Sequence, residues 1–395
     1  MARFKYLIVG GGMTADAAVR GIRQVDSEGA IGLLSAEKDP PYDRPPLSKK
    51  LWQGMDLEKI WRKTEAAGVT MHLGVRARGL DVRTRQVVDD GGAEYTYDRC
   101  LLATGGAPRT LRSAPEGIVY FRTLEDYRRL RALAGAGRRL AVLGGGFIGS
   151  EIAAALAANG TEVVMCFPEE GIGARIFPKD HARFLNEYYR ERGVDVRPGT
   201  RVSAVSREGS TWTLRTEAGE RVTADGVVAG LGIHPSTELA EAAGLPVDDG
   251  IVVEREGTAG DPRVFAAGDI ARFHNPALGA RIRVEHEDNA NTMGMHVGRA
   301  MAGDAEPYTH LPFFYSDLFD LGYEAVGDVD ARHEIVADWS EPHRKGVLYY
   351  VAGGRVRGVL LWNVWKQVPA ARALIAERGP FTAADLKGRL PAERG

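Results

Sequence analysis

Tyr6-Leu7-Ile8-Val9-Gly10-Gly11-Gly12 decides the fold. An apolar run of strand-forming residues breaks at glycines, and an alanine-rich, helix-like stretch follows. Strand, glycine turn and helix in that order open a doubly wound dinucleotide-binding domain. The same pattern returns at Leu140-Ala141-Val142-Leu143-Gly144-Gly145-Gly146. Two copies in one chain of 395 residues point to two such domains, because a single core rarely grows past roughly 250–300 residues.

The first loop reads Gly10-x-Gly12-x-x-Ala15. The first glycine permits the sharp turn. The second lets backbone N–H groups approach a pyrophosphate at the positive helix end, and Ala15 is a permitted small third residue. The next strand, Ile31-Gly32-Leu33-Leu34, is followed by Glu37, an acid placed to grip a ribose hydroxyl. The second loop, Gly144-x-Gly146-x-x-Gly149, carries all three glycines and runs into Ser150-Glu151. Its strand, Glu162–Cys166, leads to Glu169. One loop alone is a weak signal. Two complete sets imply two nucleotides, one a tightly held flavin and the other a nicotinamide that feeds it.

The first domain is interrupted by the second. The expected division is 1–117 (FAD-binding, first part), 118–237 (NADH-binding), 238–308 (FAD-binding, second part) and 309–395. The last segment is dense in aromatic residues. Gly346–Val351 and Gly354–Val359 read as strands joined at Gly353-Gly354, Val368–Glu377 as a helix, and Trp339–Gly346 as a short link, giving an α+β domain. Asp288–Met301 reads as a helix.

Composition excludes much. Charged residues are 26% and the net charge is −2, so nothing favours nucleic acid or an acidic membrane as partner. No apolar run approaches the ~20 residues of a membrane span. The N-terminus lacks a secretory signal, so a cytoplasmic protein is expected. The two cysteines, Cys100 and Cys166, sit far apart in apolar contexts; they form no CxxC pair and are expected as buried free thiols. Of nine histidines only His286 lies in a motif. The others are expected at the surface, and no metal cluster is visible.

Four further segments carry a resemblance: Pro41-Tyr42-Asp43-Arg44-Pro45-Pro46-Leu47-Ser48-Lys49, Leu102-Ala103-Thr104-Gly105-Gly106-Ala107-Pro108-Arg109, Val264-Phe265-Ala266-Ala267-Gly268-Asp269 and Arg283-Val284-Glu285-His286. In order, they resemble motifs of the oxygenase-coupled ferredoxin reductase and apoptosis-inducing factor family. Phe314-Tyr315-Ser316-Asp317-Leu318, Gly322–Gly327, Leu360-Leu361-Trp362-Asn363 and Phe167–Gly171 are similar to the apoptosis-inducing factor branch. The sequence departs from that branch in its N-terminus, which reaches the first strand almost at once, in the absence of a long C-terminal insertion, and in Tyr315 where the branch has a flavin-site Trp. A role in cell death or DNA binding is therefore not expected.

The resemblance implies an α/β fold of two Rossmann-type domains for FAD and NADH, glutathione-reductase-like, plus the C-terminal α+β domain. It places Lys49 at the flavin N5 edge, paired with Glu151. The pairing is physically sensible, since each charge would be costly to bury alone. Alternatively both are surface residues. Glu285 and His286 precede a helix whose N-terminus would favour charge developing at flavin N1 and C2. His286 either meets the ring or belongs to an ordinary helix-cap region. Arg44 and Arg109 are expected at the FAD phosphates or adenine, Ala77, Thr104 and Gly105 in its pocket, Asp269 at the ribitol, and Tyr315 near the ring. Phe147 either covers the flavin until nicotinamide arrives or packs its helix. Ile148 and Gly232 complete the NADH set. Arg175 complicates the choice of NADH over NADPH that Glu169 suggests. The implied activity is hydride transfer from NADH to FAD, then electron transfer to a ferredoxin- or rubredoxin-type iron–sulfur protein. A quinone, dioxygen or an NADH-dependent signalling role are the alternatives. The oligomeric state is left open.

Overall fold

The computed structural model describes residues 2–390, which divide into two compact units. Within the described residues the first comprises 2–44, Asp56–Ala107 and His234–Phe313; the second comprises Pro45–Met55, Pro108–Ile233 and 314–390. The fold is mixed α/β, with parallel-strand sheets in both units and a further sheet at the C-terminal end.

In the first unit Ala2–Val9 is central, flanked in parallel by Ile31–Ser35 and Glu94–Leu102, with Val69–Leu73 and Asp261–Ala266 further out. Ile8 stands level with Leu33 on one side and Leu101 on the other. All three are fully buried, as a sheet covered on both faces requires. Helix Met13–Val25 follows the first strand and crosses helix Glu287–Met301. Glycines permit that crossing. A Cβ on Gly21 would stand 2.1 Å from the Met295 carbonyl oxygen, and one on Gly298 would stand 2.1 Å from that of Ala18.

The second unit repeats the pattern. Arg139–Leu143 lies between Glu162–Cys166 and Gly226–Ala229, with Val194–Arg197 and Val119–Tyr120 at the edges, all parallel. Helix Phe147–Ala158 follows its first strand. Val202–Glu208, Thr211–Thr216 and Arg221–Ala224 form a small antiparallel sheet. Cys100 and Cys166 are buried free thiols in the two parallel sheets, and burial pushes the Cys166 thiol up to about 11. Such thiols are inert.

From Phe313 the chain builds a five-stranded sheet, in the order Phe313–Leu318, Leu321–Gly327, Arg355–Trp362, Lys345–Ala352, Glu334–Glu341. Helix Val368–Ala376 packs on two of its strands. The Trp339–Gly346 stretch is not a link: Trp339 belongs to a strand that pairs with Gly346 across a tight hairpin. Its indole is held by stacking on His181, ring centroids 5.2 Å apart. The expectation that every histidine outside the His286 motif is superficial is also corrected. His181 is fully buried on the apolar face of helix Lys179–Arg190, among Phe177, Trp339 and Trp362. Desolvation pushes its pKa down to about 3, and the neighbouring His343 adds to the effect.

Candidate cofactor sites and a buried ion pair

In the first glycine loop, Gly10 adopts φ +129°, and a Cβ there would meet the Ala103 carbonyl oxygen at 2.1 Å. On Gly12 it would meet only an Arg44 nitrogen, at 3.9 Å. Gly12 is also the N-cap of helix Met13–Val25, with no side chain capping it. Gly10 thus packs against the backbone that follows strand Glu94–Leu102, while Gly12 has open space beside it at a helix N-terminus that no side chain caps. That fits a dinucleotide phosphate. Beside it the Glu37 carboxylate accepts a hydrogen bond from the Tyr42 hydroxyl at 2.6 Å and pairs with Arg44. The Thr104 hydroxyl donates to the Ser236 carbonyl, 3.0 Å, and the Gly105 carbonyl accepts from the Ser236 amide, also 3.0 Å. Ala77 is half-buried at the start of strand Ala77–Asp81.

Asp269 lies in the short helical turn Gly268–Ile270. Arg283 donates to its carbonyl at 3.1 Å and pairs with Glu285 at 2.8 Å. His286 is the N-cap of helix Glu287–Met301. Desolvation pushes its imidazole down to about 4 against the opposing pull of Asp269 and Asp288, so it is neutral at pH 7.

The second loop has the same logic. A Cβ on Gly144 would stand 2.4 Å from the Gly230 carbonyl oxygen, and one on Gly149 would stand 2.0 Å from that of Gly144; Gly146 has nothing within 4 Å. Phe147 and Ile148, the first two helical residues, are 39% and 38% exposed. The Phe147 ring meets Phe314 edge-on at 5.0 Å. Past strand Glu162–Cys166, Glu169 pairs with Arg175 at 3.2 Å and Glu170 with Arg183 at 3.0 Å. Arg109, read above with the FAD set, stands in the second unit. Its amide donates to Gly232 at 2.9 Å and its Nε to Ile233 at 3.2 Å.

Lys49 and Glu151 meet. Nζ stands 2.7 Å from the carboxylate, and the side chains are only 9% and 3% exposed. Glu151 sits one helical turn beyond Phe147. Sequence reasoning missed its other partners. The Ser48 hydroxyl donates to one carboxylate oxygen at 2.5 Å and the Ser316 hydroxyl to the other at 2.6 Å. Both serines lie inside quoted motifs, but nothing local marks them as partners of Glu151. Lys49 also stands 5.2 Å from the centre of the Tyr315 ring. The pair lines a groove of about 540 Å³ with Asn159, Arg192, Asp317 and Asp320. Burial raises the Asp317 carboxyl above the usual carboxylate range, with the Lys49 charge acting the other way.

Residues 4–294 match the family model described as pyridine nucleotide-disulphide oxidoreductase. The chain belongs to that family. Residues 297–344 and 336–377 match the model of the apoptosis-inducing factor C-terminal domain. Over 386 residues the chain is 33% identical to the anthranilate 1,2-dioxygenase system ferredoxin–NAD(+) reductase component of Burkholderia cepacia, covering 95% of each chain. It is also 33% identical to the mitochondrial apoptosis-inducing factor 1 of Dictyostelium discoideum, covering 95% of this chain and 79% of that one. Among solved structures, the covalent putidaredoxin reductase–putidaredoxin complex aligns with a TM-score of 0.89 at 31% identity, over 96% of this chain and 94% of that one. This member of the pyridine nucleotide-disulphide oxidoreductase family is an NADH-dependent flavoprotein oxidoreductase with FAD and NADH as cofactors. Among the described residues no His, Cys, Asp and Glu group could hold a metal ion, and no helix is long and apolar enough to cross a membrane.

Proposed function

We propose that this chain is the reductase component of a short electron-transfer chain, taking hydride from NADH and delivering electrons to a small ferredoxin- or rubredoxin-type protein. The observation that carries this reading is the near end-to-end similarity to a ferredoxin–NAD(+) reductase component. The solved neighbour bound to putidaredoxin supports a protein acceptor.

FAD, when bound, supplies the conversion between hydride chemistry and single-electron chemistry. The residues of this chain do the rest. Gly10, Gly12 and Ala15 shape the cradle for the FAD pyrophosphate at a helix N-terminus, Glu37 and Arg44 hold the ribose and phosphate side, and Thr104 and Gly105 line the pocket with Ala77. Asp269 orients the ribitol chain. The 287–301 helix, entered through Glu285 and a neutral His286, directs positive potential at N1 and C2. Lys49 would donate a hydrogen bond at N5, with Glu151 as its buried counter-charge and Tyr315 beside it. Gly144, Gly146, Gly149 and Gly232 receive NADH. Phe147 and Ile148 shield the reacting face from water, and Glu169 binds the adenosine ribose. Arg109 serves FAD or the Gly232 turn. The four-segment division at 117/118, 237/238 and 308/309 belongs to this proposal. So does a cytoplasmic location, in keeping with two reduced, buried thiols.

The match of the C-terminal segment supports a second reading, an apoptosis-inducing-factor-like NADH oxidase, quinone reductase or redox-signalling protein. Stopped-flow reduction by NADH followed by an acceptor panel separates the two. Fast reoxidation by a ferredoxin or rubredoxin, and slow reoxidation by quinones and dioxygen, is the expected result. Slow reduction and no turnover with any protein acceptor would refute it.

A further inference from the structure

Trp61-Arg62-Lys63 lies in none of the nucleotide motifs. Its main chain is nevertheless pinned on both sides. The Arg62 amide donates to Pro41 at 3.0 Å, the Asp43 amide donates to Ile60 at 2.9 Å, and Arg20 donates to the Arg62 carbonyl at 2.6 Å. The Arg62 side chain is 14% exposed, and each edge of its guanidinium serves a different element. Nε donates to Asp16 at 2.7 Å, in the first turn of helix Met13–Val25 and next to Ala15. One terminal nitrogen donates to Asp43 at 2.6 Å, next to Arg44. The other donates to Asn291 at 2.8 Å, on helix Glu287–Met301.

We infer that Arg62 is a positioning residue for FAD. Its three acceptors sit on the pyrophosphate helix, on the segment carrying Arg44, and on the helix that addresses N1 and C2. The inference rests on the assignment of those elements to FAD above. Neutralising Asp16 does not by itself require this geometry. Arg20 donates to the same carboxylate at 2.8 Å and the Thr64 hydroxyl at 2.7 Å, and together with Arg62 they hold the Asp16 carboxyl below its usual range despite burial. Among the described residues, it is Arg62 that joins Asp43 and Asn291 to Asp16. A planar fork can do this and a single ammonium cannot. Side chains that lock the partners of a cofactor without touching it act on its affinity through geometry.

The test compares Arg62→Lys, Arg20→Met and Asn291→Ala. FAD is stripped, its Kd is measured by fluorescence titration, and unfolding of the apoprotein is followed in parallel. Arg62→Lys keeps the charge beside Asp16 but loses the two outer contacts; it is expected to raise the FAD Kd about tenfold or more. Asn291→Ala should weaken FAD in the same direction and add little in the Arg62→Lys background, because both remove one linkage. Arg20→Met should leave the FAD Kd within about twofold while lowering apoprotein stability, since it removes a second partner of Asp16 and one bond to the Arg62 carbonyl but leaves the Arg62 side-chain contacts to Asp43 and Asn291 in place. Equal losses of FAD affinity in Arg20→Met and Arg62→Lys would reduce Arg62 to a counter-charge and overturn the inference. So would an unchanged Kd in Arg62→Lys. If Arg62→Lys does not fold, Asn291→Ala decides: an unchanged Kd there overturns the inference. A wild-type protein that takes up no FAD strikes the cofactor assignment instead.

Discussion

Replacing Glu151 with Gln removes one charge from a buried pair while keeping its shape. At the 2.7 Å separation and an effective dielectric constant of about 20, the attraction lost is about 6 kcal/mol. Relaxation and water entry return part of that, and removing one partner of a buried pair typically costs about 3–5 kcal/mol. We expect about 3 kcal/mol here, because Ser48 and Ser316 can still hydrogen-bond the amide after one hydroxyl turns. Lys49→Met leaves the carboxylate with two serine hydroxyls and should cost a similar amount. The double variant buries no unpaired charge, so it should lie well short of the sum, with a coupling of at least about 1 kcal/mol. Urea unfolding of the three variants measures the stability cycle. Stopped-flow reduction by NADH measures the functional one. Each single variant should retain FAD and be reduced about tenfold more slowly or worse, on the scale of one lost electrostatic contact, with the double variant no worse than either. Additive losses in both cycles would show that the two residues do not act as a unit.

Glu169 should make NADH the preferred cofactor by about ten- to a hundredfold in k_red/Kd, the range of one carboxylate–phosphate repulsion in a partly solvated site. Glu169→Ala should erase the preference. Arg175→Ala should widen it, because the 87% exposed Arg175 now partly neutralises that carboxylate; equal use of NADPH by the wild type refutes the assignment. Gly146→Ala should fold normally but bind NADH weakly, since its Cβ enters open space. Gly149→Ala should lose about 1–3 kcal/mol of stability or more, since its Cβ meets the Gly144 carbonyl oxygen at 2.0 Å. Thermal unfolding and NADH titration separate the two, and matching behaviour would contradict the cradle. The buried His181 is depressed to about 3 from the ordinary 6.5, so the unfolded chain binds the extra proton between those values. Its contribution is present above about pH 6.5 and is lost as pH falls towards 3. Urea midpoints should therefore drop from pH 7 to 4.5 in the wild type and drop less in His181→Phe. Parallel slopes would exclude His181 as the source.

What could be read in the chain follows from how local each feature is. The glycine loops, strands Ile31–Ser35 and Glu162–Cys166 and helix Glu287–Met301 are set by residues adjacent in sequence, so spacing and periodicity exposed them. The strand ending at Glu341 was missed because Glu341-Pro342-His343-Arg344-Lys345-Gly346 carries turn residues and charges that hide the alternation before it. His181 was misjudged because a lone His in Lys179-Asp180-His181-Ala182-Arg183 looks polar, and only the rings brought from Trp339 and Trp362 make a dry site for it. The supports of the ion pair show the limit most sharply. Ser48 lies 103 residues from Glu151, and Ser316 lies 165 away. Arg62 reaches partners 46, 19 and 229 residues distant. No window of sequence contains such a constellation, and hydroxyl or guanidinium groups are common enough that none advertises its partner. The nucleotide cradles are thus legible because backbone geometry makes them, whereas the groups that hold an ion or a cofactor in place are products of the finished fold.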